Sequence, residues 1–240
     1  MARFRDLKAW LRVLLAGANW RQRLPELDAV AARQLPGPLF SLLLDRDELV
    51  RWRAAEAFGR SVARMAAGSG EGEGLEAARV VLRQCLWRMN EESGGLGWGV
   101  PEAMGETLAR HRRLAEEFHR VLASFVRQET RGEGNYLEHA GLRRGVYWAL
   151  GRLAGSFPDL VGAEAGTLAA GLADEDPGNA GLAARALGLL PGPLPDGGRA
   201  ALTALADNPA ELPLFEDGEL VPVTVGALAR QALARHEADS

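Results

Sequence analysis

Apolar residues at the start of the chain follow the spacing of an amphipathic helix. Phe4, Leu7, Leu11, Leu14 and Leu15 recur every three or four positions, so they fall on one side of a helix. The pattern predicts a helix over residues 3–16, with basic side chains around its apolar face. Such a helix suits the end of a repeat array, where it covers an apolar flank, and we favour this interpretation over a helix on a membrane surface.

A short sequence pattern then recurs through the rest of the chain. Each copy has a variable residue, here called position x, followed by Ala, a large apolar residue and Gly. The copies end at Gly59, Gly105, Gly151 and Gly188. The spacings are 46, 46 and 37 residues, and Gly226–Ala229 is a degenerate fifth copy. Self-similarity at about 40–47 residues is typical of two-helix solenoid repeats. The alanine and glycine leave a notch where a neighbouring helix can approach closely.

This periodicity predicts an all-α fold, a right-handed α-α superhelix of the HEAT or armadillo type with about five helix pairs. Capping helices are expected over residues 1–36 and the repeat array over 37–237. The predicted pairs cover 37–65, 76–112, 114–156, 159–190 and 197–237. Residues 207–222 are expected to form a long final loop in which Leu214 and Phe215 are briefly extended. Asp and Asn residues close the first helix of several pairs, where they can accept hydrogen bonds from amides of the next helix.

The segment Asp47–Gly59 resembles HEAT and phycobilisome-lyase-type HEAT-like repeats, and the resemblance extends over about 37–237. The block Trp87–Gly105 also resembles an uncharacterised HEAT-like family of sulphate-reducing bacteria. The resemblance implies a repeat solenoid and carries no specific activity to this chain.

Composition narrows the functional classes. Residues 1–64 carry 12 basic and 7 acidic side chains, whereas residues 157–240 carry 4 and 13. The overall charge of -4 argues against an extended nucleic-acid footprint. The single cysteine, Cys85, excludes an intramolecular disulfide and a cysteine-built zinc site. It fits a reducing compartment, and we expect a cytoplasmic protein without a membrane span.

Catalytic signatures of HEAT-like enzymes do not recur here. The family of deoxyhypusine hydroxylases places a His-Glu pair at the start of several second helices. The matching positions here are Trp52–Arg53, Trp98–Gly99, Arg144–Gly145 and Gly181–Leu182. We therefore expect no metal, no cofactor and no catalytic residues. The pair Glu116 and His119 is interpreted as part of a solvated helix face.

One segment differs from an ordinary turn between helices. Residues 90–98 combine adjacent carboxylates with four glycines in the six positions 94–99, and long glycine-rich loops on rigid helices often display binding groups. The predicted ligand- or partner-binding residues are Asn90, Glu91, Glu92, Ser93 and Trp98. The alternative is a simple connection in which Trp87 and Trp98 pack in the core.

These observations favour a non-enzymatic, cytoplasmic scaffold or adaptor that binds a protein or peptide partner on its concave face, lined by second helices. One alternative is a small-molecule-binding or catalytic HEAT-like protein centred on residues 90–98. Another is a nucleic-acid-acting enzyme that uses Trp98, Trp148, Arg144 and Arg152, as in HEAT-like DNA glycosylases.

Overall fold

The structure, a computed structural model, describes residues 4–68, 72–90, 97–128 and 134–238. These residues form thirteen α-helices and one two-stranded sheet. The helices are α1 Phe4–Ala16, α2 Trp20–Arg23, α3 Pro36–Leu42, α4 Glu48–Ala66, α5 Glu73–Met89, α6 Val100–Leu108, α7 Arg112–Ser124, α8 Ala140–Ala154, α9 Pro158–Gly162, α10 Ala165–Gly171, α11 Pro177–Leu187, α12 Gly198–Leu205 and α13 Val225–Ala238. The strands are β1 Glu211–Glu216 and β2 Glu219–Thr224.

Five of these helices are second helices of pairs, and they carry the repeated pattern: α4, α6, α8, α11 and α13. The first helices are α3, α5, α7, α10 and α12. The all-α solenoid fold expected from the periodicity is thus present. The chain forms two compact units, residues 1–114 with 217–219, and residues 115–216 with 220–240. The sequence had instead predicted a boundary after residue 36.

The first unit has a core of leucines and aromatic residues between α1, α3, α4 and α6. Leu11, Leu14 and Leu15 of α1 are fully buried, as the apolar face of residues 3–16 predicted, whereas Phe4 of the same predicted face is 54% exposed. The rings of Phe40 and Phe58 meet edge to face with their centroids 4.7 Å apart. Such pairs add to the free energy of burial because the edge of one ring is attracted to the face of the other.

Glycines of the repeated pattern lie where second helices cross. A Cβ on Gly59 of α4 would lie 2.5 Å from main-chain carbon of Glu106 in α6, within the first unit. In the second unit, a Cβ on Gly188 of α11 would lie 2.7 Å from Cα of Ala232 in α13, and one on Gly151 of α8 would lie 3.6 Å from Cβ of Ala186. The notch proposed from the sequence is therefore the contact between consecutive second helices.

Two turns between paired helices share one hydrogen-bond pattern. Asp45 Oδ1 accepts from the amide of Asp47 at 3.0 Å, and Asp174 Oδ1 accepts from the amide of Asp176 at 3.0 Å. The second aspartate of each turn caps the helix that follows: Asp47 accepts from Leu49 and Val50, and Asp176 from Asn179. These bonds satisfy amides that the first helical turn leaves without an internal partner.

The prediction of a final loop over residues 207–222 is wrong, because this segment contains a β-hairpin. Asp217 and Gly218 form its two-residue connection with φ values of 50° and 82°. Two consecutive positive φ values define a type I′ turn, whose twist matches that of antiparallel strands. Residues 211–216 and 220–224 belong to the second unit, and residues 217–219 belong to the first.

Candidate functional site

Within the second unit, strand β1 lies against second helices α8 and α11. The indole Nε1 of Trp148 donates a hydrogen bond to the carbonyl of Phe215 at 3.2 Å, and the two rings lie 6.2 Å apart. Arg185 Nη2 donates to Glu216 Oε1 at 3.1 Å. Trp148 therefore holds strand β1 through a main-chain carbonyl, and Arg185 holds it through the carboxylate of Glu216.

Within the first unit, the hairpin turn contacts a group formed by Trp20, Arg21 and Arg53, which we call the turn-binding site. The guanidinium carbons of Arg21 and Arg53 lie 5.4 and 5.0 Å from the centre of the Trp20 ring. This is the distance range of cation–π attraction. Gly218 packs directly on the Trp20 ring, and a Cβ at this position would overlap Trp20 and lie 2.8 Å from Arg21 Nε.

Arg53 is the centre of this site and is only 3% exposed. Its Nε donates to the carbonyl of Gly218 at 3.0 Å, and its Nη2 donates to Glu219 Oε1 at 2.6 Å. Nη1 donates to the carbonyls of Leu15 at 2.9 Å and Gly17 at 3.3 Å, which orients the guanidinium. A buried cation is costly without a counter-charge, so the carboxylate of Glu219 fills an electrostatic need of this site.

A cleft of about 420 Å³ opens beside the hairpin in the second unit. Its apolar side includes Leu189, Leu214 and Leu228, and its polar side includes Arg185, Glu216 and Arg235. Because Arg185 pairs with Glu216, the cleft offers apolar surface and the charge of Arg235 next to strand β1.

The residues predicted from the 90–98 segment are only partly described. Asn90 is exposed, and its Nδ2 donates to the carbonyl of Leu86 at 3.2 Å. Trp98 is 39% exposed. Glu91, Glu92 and Ser93 lie outside the described residues. Trp87 is 58% exposed, so the alternative in which both tryptophans pack in the core is wrong.

Other candidate residues are held inside the fold. His119 is buried and its Nδ1 lies 2.8 Å from the carbonyl of Ala115, so its assignment to a solvated helix face was wrong. Trp148 is buried, and Arg144 forms an ion pair with Asp176 at 2.8 Å. Among the described residues, no cluster of three or more His, Cys, Asp or Glu side chains could hold a metal ion. No helix in the described part of the chain has the length and apolarity to cross a bilayer.

The sequence contains a signal for the hairpin at its turn, although the segment was predicted to be a loop. Asp217–Gly218 is a preferred pair for a type I′ turn, and the apolar run Leu212-Pro213-Leu214-Phe215 lies on its amino-terminal side. No comparable signal pointed to Trp20 and Arg53, which are 33 residues apart and meet only through tertiary packing.

Comparisons with known proteins identify the fold and no family. No family model matches the chain, and no curated protein matches it. A designed armadillo repeat protein superposes with a TM-score of 0.52 and 17% identity, over 97% of this chain and 92% of that protein. An engineered protein gives a TM-score of 0.51 and 16% identity, over 98% of each chain. The chain is thus similar in fold to armadillo-like repeat solenoids.

Proposed function

We propose that this chain is a non-enzymatic interaction scaffold whose second helices bind an extended segment of a partner protein. One observation carries the proposal: in each unit this helix face already binds extended or turn backbone of the chain itself. Trp148 and Arg53 donate to main-chain carbonyls, while Arg185 and Arg53 pair with carboxylates. Main-chain hydrogen bonds supply affinity for an extended segment, and side-chain contacts supply specificity. The repeat fold supports the same proposal, since solenoids present long binding surfaces.

The proposal includes the finer predictions made from the sequence, namely membership of the HEAT-like repeat family and a cytoplasmic location. Cys85 supports the location, because it is fully buried as a thiol and needs no oxidising compartment.

A photo-cross-linking experiment tests where a partner binds. Benzoylphenylalanine replaces Arg60 of α4 or Arg144 of α8, whose side chains are 37% and 40% exposed. A matched control variant carries the same group at Arg83 on the exposed face of first helix α5. After irradiation in extracts of the native host, we expect partner cross-links from the second helices and none from α5. Equal cross-linking from both sets would contradict the proposal.

The segment 90–98 remains a second proposed contact surface, supported by the exposure of Trp87 and Trp98. Exposed tryptophans are enriched at protein interfaces. A Glu91→Ala, Glu92→Ala double variant with unchanged thermal stability is expected to recover less partner in a pull-down. Full recovery of every partner would leave this segment as a connection between α5 and α6.

A further inference from the structure

Within the first unit, the hairpin turn contacts the other residues almost entirely through polar atoms and a glycine. Glu219 is 58% exposed even while its carboxylate contacts Arg53, and Asp217 adds a second negative charge beside it. Gly218 supplies a carbonyl to Arg53 and a flat surface to Trp20. The turn therefore contacts the site as a ligand would, through main chain and charge, without an apolar side chain of its own.

Most contacts that position the turn-binding site come from outside the turn. Carbonyls of Leu15 and Gly17 hold Arg53 from the end of α1, and the guanidinium carbons of Arg21 and Arg53 lie 5.4 and 5.0 Å from the centre of the Trp20 ring. Trp20 is 2% exposed and sits on its own short helix α2. Only the carboxylate and one carbonyl acceptor come from the turn. A planar guanidinium that is already oriented loses little entropy on binding such acceptors.

Resting on the proposed function, we infer that the turn-binding site recognises an acidic, glycine-containing turn of a partner protein. The chain's own Asp217–Glu219 turn occupies the site as a competing ligand. The recognised segment has three features. A residue without a Cβ lies against Trp20, and the carbonyl of that residue accepts a hydrogen bond from Arg53 Nε. The carboxylate of the next residue accepts a hydrogen bond from Arg53 Nη2. Any partner segment must present its carbonyl and carboxylate in this order. Because the chain's own turn occupies a fraction of the sites, the apparent affinity for the partner segment is reduced accordingly.

The test uses the full chain and a labelled synthetic peptide with the sequence of residues 211–224. Gly218→Ala in the chain places a Cβ into the Trp20 ring at a positive φ and so removes its own turn from the site. Gly197→Ala is the matched control, because φ is 75° there and nothing lies within 4 Å of the added Cβ. Circular dichroism and thermal melting first establish that both variants are folded.

We expect fluorescence anisotropy to show peptide binding to Gly218→Ala at least about tenfold tighter than to the wild type or to Gly197→Ala. Adding Arg53→Lys to Gly218→Ala should abolish this gain, since lysine keeps the charge and loses the paired donors. A peptide with glutamine at the positions of Glu216, Asp217 and Glu219 should also fail to bind. Equal binding of the acidic and the glutamine peptide, or no binding to a folded Gly218→Ala chain, would overturn the inference.

A Glu219→Gln chain provides a second measurement if Gly218→Ala does not fold. It keeps the turn and removes the carboxylate of an exposed side chain, so peptide affinity should rise above that of the wild type by a smaller factor. Unchanged affinity in that variant would contradict self-occupancy. The two proposals fail separately. If second-helix cross-links to a partner persist and are equal in wild type and Gly218→Ala, the scaffold proposal stands and the inference of a competing turn is wrong.

Discussion

Position x of the repeated pattern is Glu in the first two copies, Trp in the third and Arg in the fourth, and the structure shows where several of these side chains lie. Trp148 and Arg185 contact the hairpin in the second unit. Glu56 in the first unit pairs with Arg21 at 3.8 Å and with Arg110 at 3.5 Å. The alanine, apolar and glycine positions pack between helices, whereas position x contacts the hairpin through Trp148 and Arg185 and pairs with arginines through Glu56. A change of residue at this position therefore alters these contacts more than it alters how the helices pack.

Glu102, at position x of α6, yields a prediction about pH. Burial raises the pKa of its carboxyl to about 7, with smaller opposing effects from a backbone hydrogen bond and Arg51. Its Oε2 has no hydrogen-bond partner among the described residues. In the folded state the Glu102 carboxyl therefore stays protonated at pH values above its ordinary pKa of 4.5. Its stabilising contribution is complete below pH 4.5 and is lost as pH rises to about 7.

Glu102→Gln should accordingly raise the free energy of unfolding at pH 8 by about 1–3 kcal/mol and leave it nearly unchanged at pH 4.5. Urea unfolding at the two pH values measures this difference. Glu73→Gln is the control, since Glu73 also lies in the first turn of a helix but is exposed. An equal effect of both changes at pH 8 would show that burial of Glu102 is not the cause.

At the scale of elements, close crossings of second helices depend on glycines that have no room for a side chain. Gly59 meets main-chain atoms of Glu106, which cannot move aside without displacing α6. Gly151 instead meets Arg185 Nη1 at 3.1 Å, the end of a flexible side chain. Gly59 and Gly151 of the repeated pattern are thus not equivalent.

Gly59→Ala should therefore lower the free energy of unfolding by ~1–3 kcal/mol, and Gly59→Leu by more, because both overpack the crossing. Gly151→Ala should cost less. Gly166→Ala is the matched control in a helix, since nothing lies within 4 Å of its added Cβ; it should be neutral or stabilising by up to ~1 kcal/mol. Melting temperatures of the four variants measure the order, and a Gly59→Ala chain as stable as Gly166→Ala would refute it.

At the scale of the whole molecule, Cys85 reports on opening of the first unit. It is fully buried in α5, and burial raises the pKa of its thiol above the ordinary value. The thiolate is the reactive form, so both access and ionisation require α5 to separate from the core. We expect Cys85 to resist Ellman's reagent in the native state and to become reactive in parallel with the unfolding transition in urea. Reaction at the rate of an exposed thiol without denaturant would contradict this burial.

Local sequence could predict the helical part of the fold because the repeated pattern, the Asp turns and the apolar spacing all act within about 15 residues. The α1 face and the notch glycines are confirmed on this basis. The pair Asp217–Gly218 is also a local signal, and it favours the hairpin, whereas the prediction for the apolar run beside it is a loop. His119 was assigned to the surface because helical spacing alone does not say which face has a neighbour.

The sequence by itself determined the repeat, its five helix pairs and the positions at which helices can approach closely. Tertiary structure alone decided what the second helices bind, because Arg53 and Glu219 are 166 residues apart and form one ion pair. Periodicity is a property of neighbours along the chain, whereas a binding site depends on residues that only packing brings together. A buried cation such as Arg53 is stable only where such a distant acceptor reaches it, and no local pattern specifies that acceptor.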